Sequence, residues 1–278
     1  MRAMTIEDIP GALRLCRASG WNQLEDDWRF FIESPGSGAL LIDRAGSVLG
    51  TAAYVRYDAL AWIAMMLVDP AERGAGLGGQ LLSQALAALT DAPCIGLDAT
   101  PAGEPLYRKF GFREDSRLVR VKADIESARF PHPTGAARAM LKSDLPAVCR
   151  MDREVFGADR GRLLASLFHR APECAWTIDD ASAVKGYTFG RPGFRYHQLG
   201  PVVALDAANA QDLATRCMSQ FSGTTFAIDV PLLDPHWLAF LKSAGFTEER
   251  PFARMFLRDR VHAGIPARQY AICGPEFA

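Results

Sequence analysis

The chain repeats itself, and this limits its fold more than any single motif does. Arg2-Ala3-Met4-Thr5-Ile6-Glu7-Asp8-Ile9-Pro10 returns as Arg138-Ala139-Met140-Leu141-Lys142-Ser143-Asp144-Leu145-Pro146, an offset of 136 from Arg2 to Arg138. Ile42-Asp43 and Gly50 keep that register with Ile178-Asp179 and Gly186. Leu97-Asp98 matches Ile228-Asp229 at 131 and Gly111-Phe112 matches Gly245-Phe246 at 134, as a short deletion would leave them. A chain of 278 residues is therefore expected to hold two copies of one domain, each long enough to bury its own core. The expected boundaries are 1–126 and 138–278. Residues 127–137, with Pro131, His132, Pro133 and Gly135, have the composition of a linker.

Hydrophobic periodicity places the elements of the first copy. Ala3 to Thr5 starts a strand, and Thr5 to Asp8 can cap a helix carrying Ile9, Leu13 and Leu15. A second helix holds Trp28, Phe30, Phe31 and Ile32, and a hairpin turns at Ala45-Gly46 between 39–43 and 48–57. Ala61 to Val68 reads as the central strand and Cys94 to Ala99 as the next. A short helix through Leu106 and Tyr107 follows, and Leu118 to Ala123 is expected to close the sheet. The class is α/β.

Between the central strand and the next lies Asp69-Pro70-Ala71-Glu72-Arg73-Gly74-Ala75-Gly76-Leu77-Gly78-Gly79-Gln80, followed by a helix with Leu81, Leu82, Ala85, Leu86 and Leu89 at helical spacing. A glycine-rich turn opening a helix offers a row of free main-chain N–H groups to an anion. Gly74, Gly76 and Gly78 remove side chains that would hold the anion off, and Arg73 adds a permanent charge. A phosphate-binding P-loop would need lysine and a hydroxyl after its last glycine, and neither is present. The stretch is a literal G-x-G-x-x-G with Asp98 about twenty residues on, so a dinucleotide-binding Rossmann unit and an NAD-dependent oxidoreductase are the alternative. Against that, residues 69–73 separate the glycines from their strand.

The stretch resembles the acyl-coenzyme A motif of the GCN5-related N-acetyltransferases: a strand ending in Val-Asp-Pro, then Arg-x-x-Gly-x-Gly, then a helix. Arg73, Gly76 and Gly78 stand at the motif positions. The family's second signature, Leu-Tyr-x-x-x-Gly-Phe, is matched by Leu106-Tyr107-Arg108-Lys109-Phe110-Gly111-Phe112. The resemblance implies two tandem domains, each a mixed, mostly antiparallel central sheet flanked by helices. It implies acetyl-coenzyme A, or another acyl-coenzyme A, as co-substrate. Main-chain groups of Met66, Leu67 and Val68 would hold the pantetheine arm, and Arg73, Gly74, Ala75, Gly76, Leu77, Gly78 and Gly79 the diphosphate, with Thr100 completing the cofactor set. Tyr107 would be the general acid that protonates the leaving thiolate, in direct attack by an amine within a ternary complex.

The family's enzymes for protein N-termini carry a glutamate five residues before an asparagine, where this chain has Ile95 and Thr100. A small-molecule amine is thus the expected acceptor. Trp21-Asn22-Gln23-Leu24-Glu25-Asp26-Asp27-Trp28 sets two indoles among amides and acids, and a similar Gly-Trp-Asn-Gln stretch occurs in bacterial tandem-domain members. Trp21, Asn22, Gln23 and Asp27 are the candidates for acceptor binding, since acids beside aromatics suit a cationic amine. The competing reading of this stretch is a cap from Asp26 or Asp27 with Trp28 in the core. Asp98, at a strand end, reads as a turn cap in preference to a base. In the second copy, alignment at 136 puts Asn209, Asp212 and Ala214 opposite Arg73, Gly76 and Gly78, and Leu241 replaces Tyr107. That copy is expected to bind no cofactor, leaving its sheet to complete an acceptor cleft or form a homodimer face. A coenzyme A sensor without chemistry is the second functional class.

Net charge of −1 gives no electrostatic footprint for nucleic acid or anionic membrane. The six scattered cysteines form no C-x-x-C and sit near no histidine at ligand spacing, so reduced thiols and no metal are expected. Ala59 to Val68, the longest uncharged apolar run, is about half of a membrane span. With no signal-like N-terminus, the expectation is a cytoplasmic protein.

Overall fold

The computed structural model describes residues 1–125, 135–180, 183–259 and 263–278. Two compact units emerge, and they are not contiguous in sequence. The first holds Met1–Asp115, residues 254–259 and Phe277; the second holds the described residues of 116–253 and 263–276, with Ala278. The expected division at 126 and 138 is contiguous, whereas these compact units are not, and residues 127–134 of the expected linker lie outside the described residues.

The first unit is built from strands β1 (Arg2–Ala3), β2 (Gly38–Arg44), β3 (Ser47–Tyr57), β4 (Leu60–Val68) and β5 (Ile95–Ala99), with helices α1 (Ile9–Ala18), α2 (Glu25–Glu33), α3 (Leu77–Ala87) and α4 (Glu104–Lys109). Asp8 Oδ2 accepts the Thr5 amide at 2.8 Å and fixes the turn into α1, which buries Ile9, Ala12, Leu15 and Cys16. Ala45 and Gly46, at φ 49° and 82°, make the tight hairpin between β2 and β3. Strands β1 to β4 are antiparallel neighbours, and β5 joins β4 in parallel at Ala61↔Ile95 and Trp62↔Gly96. Trp28, Trp62, Phe31, Ile9, Leu15 and Leu41 are fully buried in the core. Gly96 is dictated by that packing, because a Cβ there would lie 2.4 Å from Trp62 Cζ3 and 2.7 Å from Phe256 Cε1.

The second unit repeats the plan. Its strands are β6 (Arg113–Asp124, from residue 116 on), β7 (Arg138–Ala139), β8 (Trp176–Asp179), β9 (Val184–Arg191), β10 (His197–Ala204), β11 (Thr225–Pro231), the first part of β12 (Thr247–Leu257) and β13 (Gln269–Ala271). Its helices are α5 (Leu145–Phe156), α6 (Gly161–Arg170), α7 (Ala207–Met218) and α8 (Pro235–Ser243). Strand β10 pairs β11 in parallel from His197↔Phe226 to Leu199↔Ile228, the counterpart of β4 and β5. Trp237, Phe226, Leu213, Val202 and Ile228 centre one apolar core.

One expectation fails. Leu118 to Ala123 is a strand, but it does not close the first sheet; β6 lies antiparallel to β11 from Thr225↔Asp124 to Pro231↔Leu118. The strand next to β5 is β12, of which residues 254–257 belong to the first unit. The last strands of the two repeats have exchanged places. Strand periodicity says that each has one buried face, not which sheet receives it. All six cysteines are free, and no described helix is long and apolar enough to cross a membrane.

Candidate active site

Residues 69–76 link β4 to α3. Asp69 anchors their start: Oδ1 accepts the Ala71 amide at 3.1 Å and Oδ2 meets Arg14 Nη1 at 2.9 Å. The Arg14 guanidinium, then the Ala71 amide, hold the Asp69 carboxyl below the usual carboxylate range. Gly74 and Gly76 sit at φ 88° and 79°, in the left-handed region where a side chain is strained. Gly76 is the N-cap of α3 and has no side chain to satisfy the first turn. Among the described residues, no protein oxygen accepts a hydrogen bond from the amides of Gly74 to Gly79. A Cβ on Gly78 would come no nearer than 3.4 Å to Leu106 Cδ2, and one on Gly79 no nearer than 4.0 Å to Phe110. Neighbouring side chains therefore do not demand glycine at 78 and 79, whereas close approach of an anion to the amides would. Arg73 is exposed and makes no ion pair among the described residues.

Beside the loop, the sheet opens. Strand β4 is bulged against β3: the register steps from Thr51↔Leu67 to Ala53↔Ala64, and Met65 takes φ 53°. Thr51 Oγ1 donates to the Met65 carbonyl at 2.9 Å and holds the bulge. The Asp69 amide donates to Leu49 O, on the β3 side, so by alternation the main-chain groups of Val68 and Met66 face the β5 side. Pairing of β4 with β5 ends at Trp62↔Gly96, which leaves those groups facing a gap between diverging strands. The main chain of Met66 and Val68 thus faces a slot that runs to the glycine loop, whereas that of Leu67, expected beside them, faces β3.

Tyr107 lies on α4 with its ring 8% exposed and edge-on to Phe112 at 6.0 Å. Its hydroxyl makes no hydrogen bond among the described residues, and burial pushes its pKa upward. Thr100 accepts the Gly103 amide on both Oγ1 (3.3 Å) and its carbonyl (2.9 Å), so it shapes the turn into α4. That corrects the expectation for Asp98. Its carboxylate, fully buried, takes Arg254 Nε at 2.9 Å and Nη2 at 2.8 Å in a bidentate pair. Sequence spacing gave no hint of a partner 156 residues away.

The 21–28 stretch divides between the two readings. Asp27, 1% exposed, accepts the Leu24 amide at 2.8 Å and Trp28 is fully buried, so these two serve the start of α2. Arg17 ties the loop to α1 through the carbonyls of Trp21 (3.2 Å) and Gln23 (2.8 Å). Asn22 and Gln23 are both buried, and Gln23 Oε1 and Trp28 Nε1 have no hydrogen-bond partner among the described residues.

The second unit lacks this machinery in a way that alignment at a fixed offset hides. Strand β10 ends at Ala204 and α7 begins at Ala207, so only residues 205–206 stand where the first unit has 69–76. The deletion removes the loop itself. Asp206, not Asp212, therefore takes the place of Gly76, and its carboxylate accepts the Asn209 amide at 2.8 Å. Where β10 and β11 part, β13 enters: Ala271 pairs Val202, Gln269 pairs Val203, and the Ile272 amide donates to Asp229 O at 3.0 Å. The chain's own strand fills the slot that stays open in the first unit.

Comparison with known proteins gives both repeats the same family description. The acetyltransferase (GNAT) domain family matches residues 35–114 and again 148–271. A holothin acyltransferase of Pseudoalteromonas sp. (strain SANK 73390) is 29% identical over 228 residues, covering 77% of this chain and 76% of its own. An uncharacterised N-acetyltransferase of Bacillus subtilis is 23% identical over 225 residues, with coverage of 81% and 79%. In fold, a crystal structure from Pyrococcus horikoshii superposes with a TM-score of 0.81 at 20% identity, over 100% of this chain and 95% of that one. A tandem GNAT protein of the clavulanic acid pathway gives 0.65 at 12% identity, over 92% and 97%. The chain is an N-acetyltransferase enzyme and belongs to the GCN5-related N-acetyltransferase family, in its tandem-domain form.

Proposed function

We propose that the first unit transfers an acyl group, acetyl in the first instance, from coenzyme A to the amine of a small molecule by direct attack in a ternary complex. The observation that carries this reading is the set of unpartnered amides from Gly74 to Gly79, at the mouth of an open slot between β4 and β5. The loop amides and Arg73 bind the diphosphate, a use of a helix N-terminus that needs no side-chain acceptor. The main chain of Met66 and Val68 pairs with the amide-rich pantetheine arm as a strand would. Bound acyl-coenzyme A supplies an activated thioester. The chain's residues then orient it, and Tyr107 donates its phenolic proton to the departing sulfur as the carbon–nitrogen bond forms and the carbon–sulfur bond breaks; the nitrogen gives up one proton to solvent, and the phenolate regains one from solvent. The raised pKa of Tyr107 keeps that proton in place at neutral pH. The acceptor loop is Trp21, Asn22 and Gln23, with Asp27 holding it in position and Thr100 shaping the turn that presents Tyr107.

A small-molecule acceptor is supported by the relatives named for holothin and mycothiol; the mycothiol acetyltransferase, from Beutenbergia cavernae, is 29% identical over 189 residues. The test is release of free thiol from acetyl-coenzyme A across a panel of small amines. Turnover with at least one amine, and none with peptides bearing free N-termini, is the expected result. Binding of acetyl-coenzyme A without turnover on any amine would leave a sensor as the better reading.

A further inference from the structure

The Asp98–Arg254 pair sits at the base of the open slot, and its counterpart in the second unit shows that one of its hydrogen bonds is missing. Asp98 lies two residues beyond Gly96, where β4 and β5 stop pairing. Its face follows from the register. Val55 pairs Trp62 and Gly50 pairs Val68, and on β3 positions 50 and 55 face opposite ways. A Cβ at Gly50 would touch Leu81 of α3, so Trp62 faces away from α3. Gly96 packs under the Trp62 ring, Asp98 shares its side, and the Arg254 guanidinium lies 4.9 Å over that ring. Arg254 is thereby held on two sides, by a bidentate carboxylate and an indole face.

In the second unit the same geometry recurs. Asp229 matches Asp98 and Arg120 matches Arg254: Arg120 Nε and Nη2 reach Asp229 at 2.8 and 2.7 Å. There the third nitrogen is used, with Nη1 donating to Tyr196 Oη at 2.7 Å, and Gln198, at the place of Trp62, adds a bond to Asp229 at 3.0 Å. Arg254 Nη1 has no such oxygen among the described residues, nor is it among the buried nitrogens cut off from solvent. A rigid, charged donor is left with one nitrogen unbonded, on the side of the sheet away from α3 and next to the strand that parts from β4.

We propose that Arg254 is a specificity-determining residue for the acceptor: Nη1 donates to an uncharged carbonyl oxygen, so the preferred substrates are amines that also carry an amide-type carbonyl. This rests on the acyl-transfer reading given above. The oxygen is neutral because Asp98 already balances the Arg254 charge, and a carboxylate there would add an uncompensated negative charge beside Asp98.

The experiment compares thiol release with phenylalaninamide, phenethylamine and phenylalanine, using the full chain and Arg254→Lys, which keeps a cation beside Asp98 but has a single terminal nitrogen and no second one to reach beyond the pair. The wild type should favour the amide over the bare amine in kcat/KM by about tenfold or more, the range of a charge-assisted hydrogen bond. Arg254→Lys should lower that ratio to within about twofold of unity, with KM for acetyl-coenzyme A unchanged. A general loss of structure would reduce both amines alike, and Arg254→Gln gives a second variant for the same ratio. Release with an unchanged ratio in both variants, or a wild type that prefers phenylalanine to its amide, overturns the role of Arg254 alone. Absence of release with every amine overturns the transfer reading, and this inference with it.

Discussion

Replacement of Tyr107 by phenylalanine separates an enzyme from a binding module, and the structure sets the size of both effects. The ring stays, with its edge contact to Phe112 and its fit against Gly103, where a Cβ would lie 3.0 Å from Tyr107 Cε2. Only the hydroxyl goes, and it bonds to nothing among the described residues, so none of them loses a partner. Stability should then change by less than about 0.5 kcal/mol, a shift of about 1–2 °C in Tm for a chain of this size. The rate should fall about 10²- to 10⁴-fold if the phenol protonates the thiolate, which raises the barrier by about 2.7–5.5 kcal/mol. Steady-state thiol release gives kcat, and titration calorimetry with acetyl-coenzyme A gives Kd, which should stay within about twofold because no binding contact is removed. A variant with kcat within about threefold of wild type would refute the acid role.

The pH dependence follows from the same burial. The Tyr107 pKa is raised in the folded chain, so the donor remains protonated through the range near pH 10 where free tyrosine ionises. Wild-type kcat should not fall between about pH 8 and 10 on its account. For stability the sign is fixed: a group with a raised folded pKa contributes fully below its unfolded value of about 10, and the contribution is lost as pH climbs above it.

Gly76→Ala places a Cβ at φ 79° and should cost about 1–2 kcal/mol, with weakened acetyl-coenzyme A binding by calorimetry; an unchanged Kd would remove that amide from the site. Calorimetry should also give one acetyl-coenzyme A per chain, because β13 and Asp206 fill the second slot, and a stoichiometry of two would contradict this. Asp98→Asn leaves the Arg254 charge buried without its counter-ion and should destabilise by about 3–5 kcal/mol in urea unfolding; a loss below about 1 kcal/mol would show the pair to be solvated. Gly96→Ala drives a Cβ into the Trp62 ring and should cost about 1–3 kcal/mol, with an unchanged melting temperature as the contrary result.

Local patterns carried most of this fold into the sequence. The turns at Thr5–Asp8 and Ala45-Gly46, the strand–loop–helix around Gly76 and the short helix of Tyr107 all depend on residues within a few positions of one another. Three things were not legible, each for a stated reason. The exchange of β6 and β12 depends on which of two similar strands meets which sheet, and periodicity is the same for both. The Asp98–Arg254 pair joins positions far apart in sequence, and a strand-end aspartate looks like a cap until its partner is seen. The second loop's deletion was placed too late because alanine and asparagine in α7 can be slid along the glycines at no cost to the pattern; only the helix start at Ala207 fixes it. The Asp27 cap and the buried Trp28, by contrast, were one of the two readings that the 21–28 composition offered.

The repeat also serves as an internal control on what each feature is for. Both units keep the parallel pair, the glycine or alanine one step along it, and an aspartate bound on two sides by an arginine from a strand late in the other repeat. A feature kept where there is no cofactor loop cannot exist to serve the cofactor, so the Asp–Arg pairs are part of how each sheet takes its last strand. Two buried, bidentate pairs would also be costly to satisfy with the wrong strand, since an unpaired buried guanidinium or carboxylate is heavily penalised. What differs among the described residues is then the candidate for function: loop 69–76, the open slot, Tyr107 and the bare Nη1 of Arg254 occur in the first unit and not in the second. Grafting residues 69–76 in place of 205–206 would thus not create a second site, because β13 would still occupy the gap between β10 and β11. Calorimetry on that graft should still count one acetyl-coenzyme A per chain, and a count of two would mean that the loop, not the slot, decides binding.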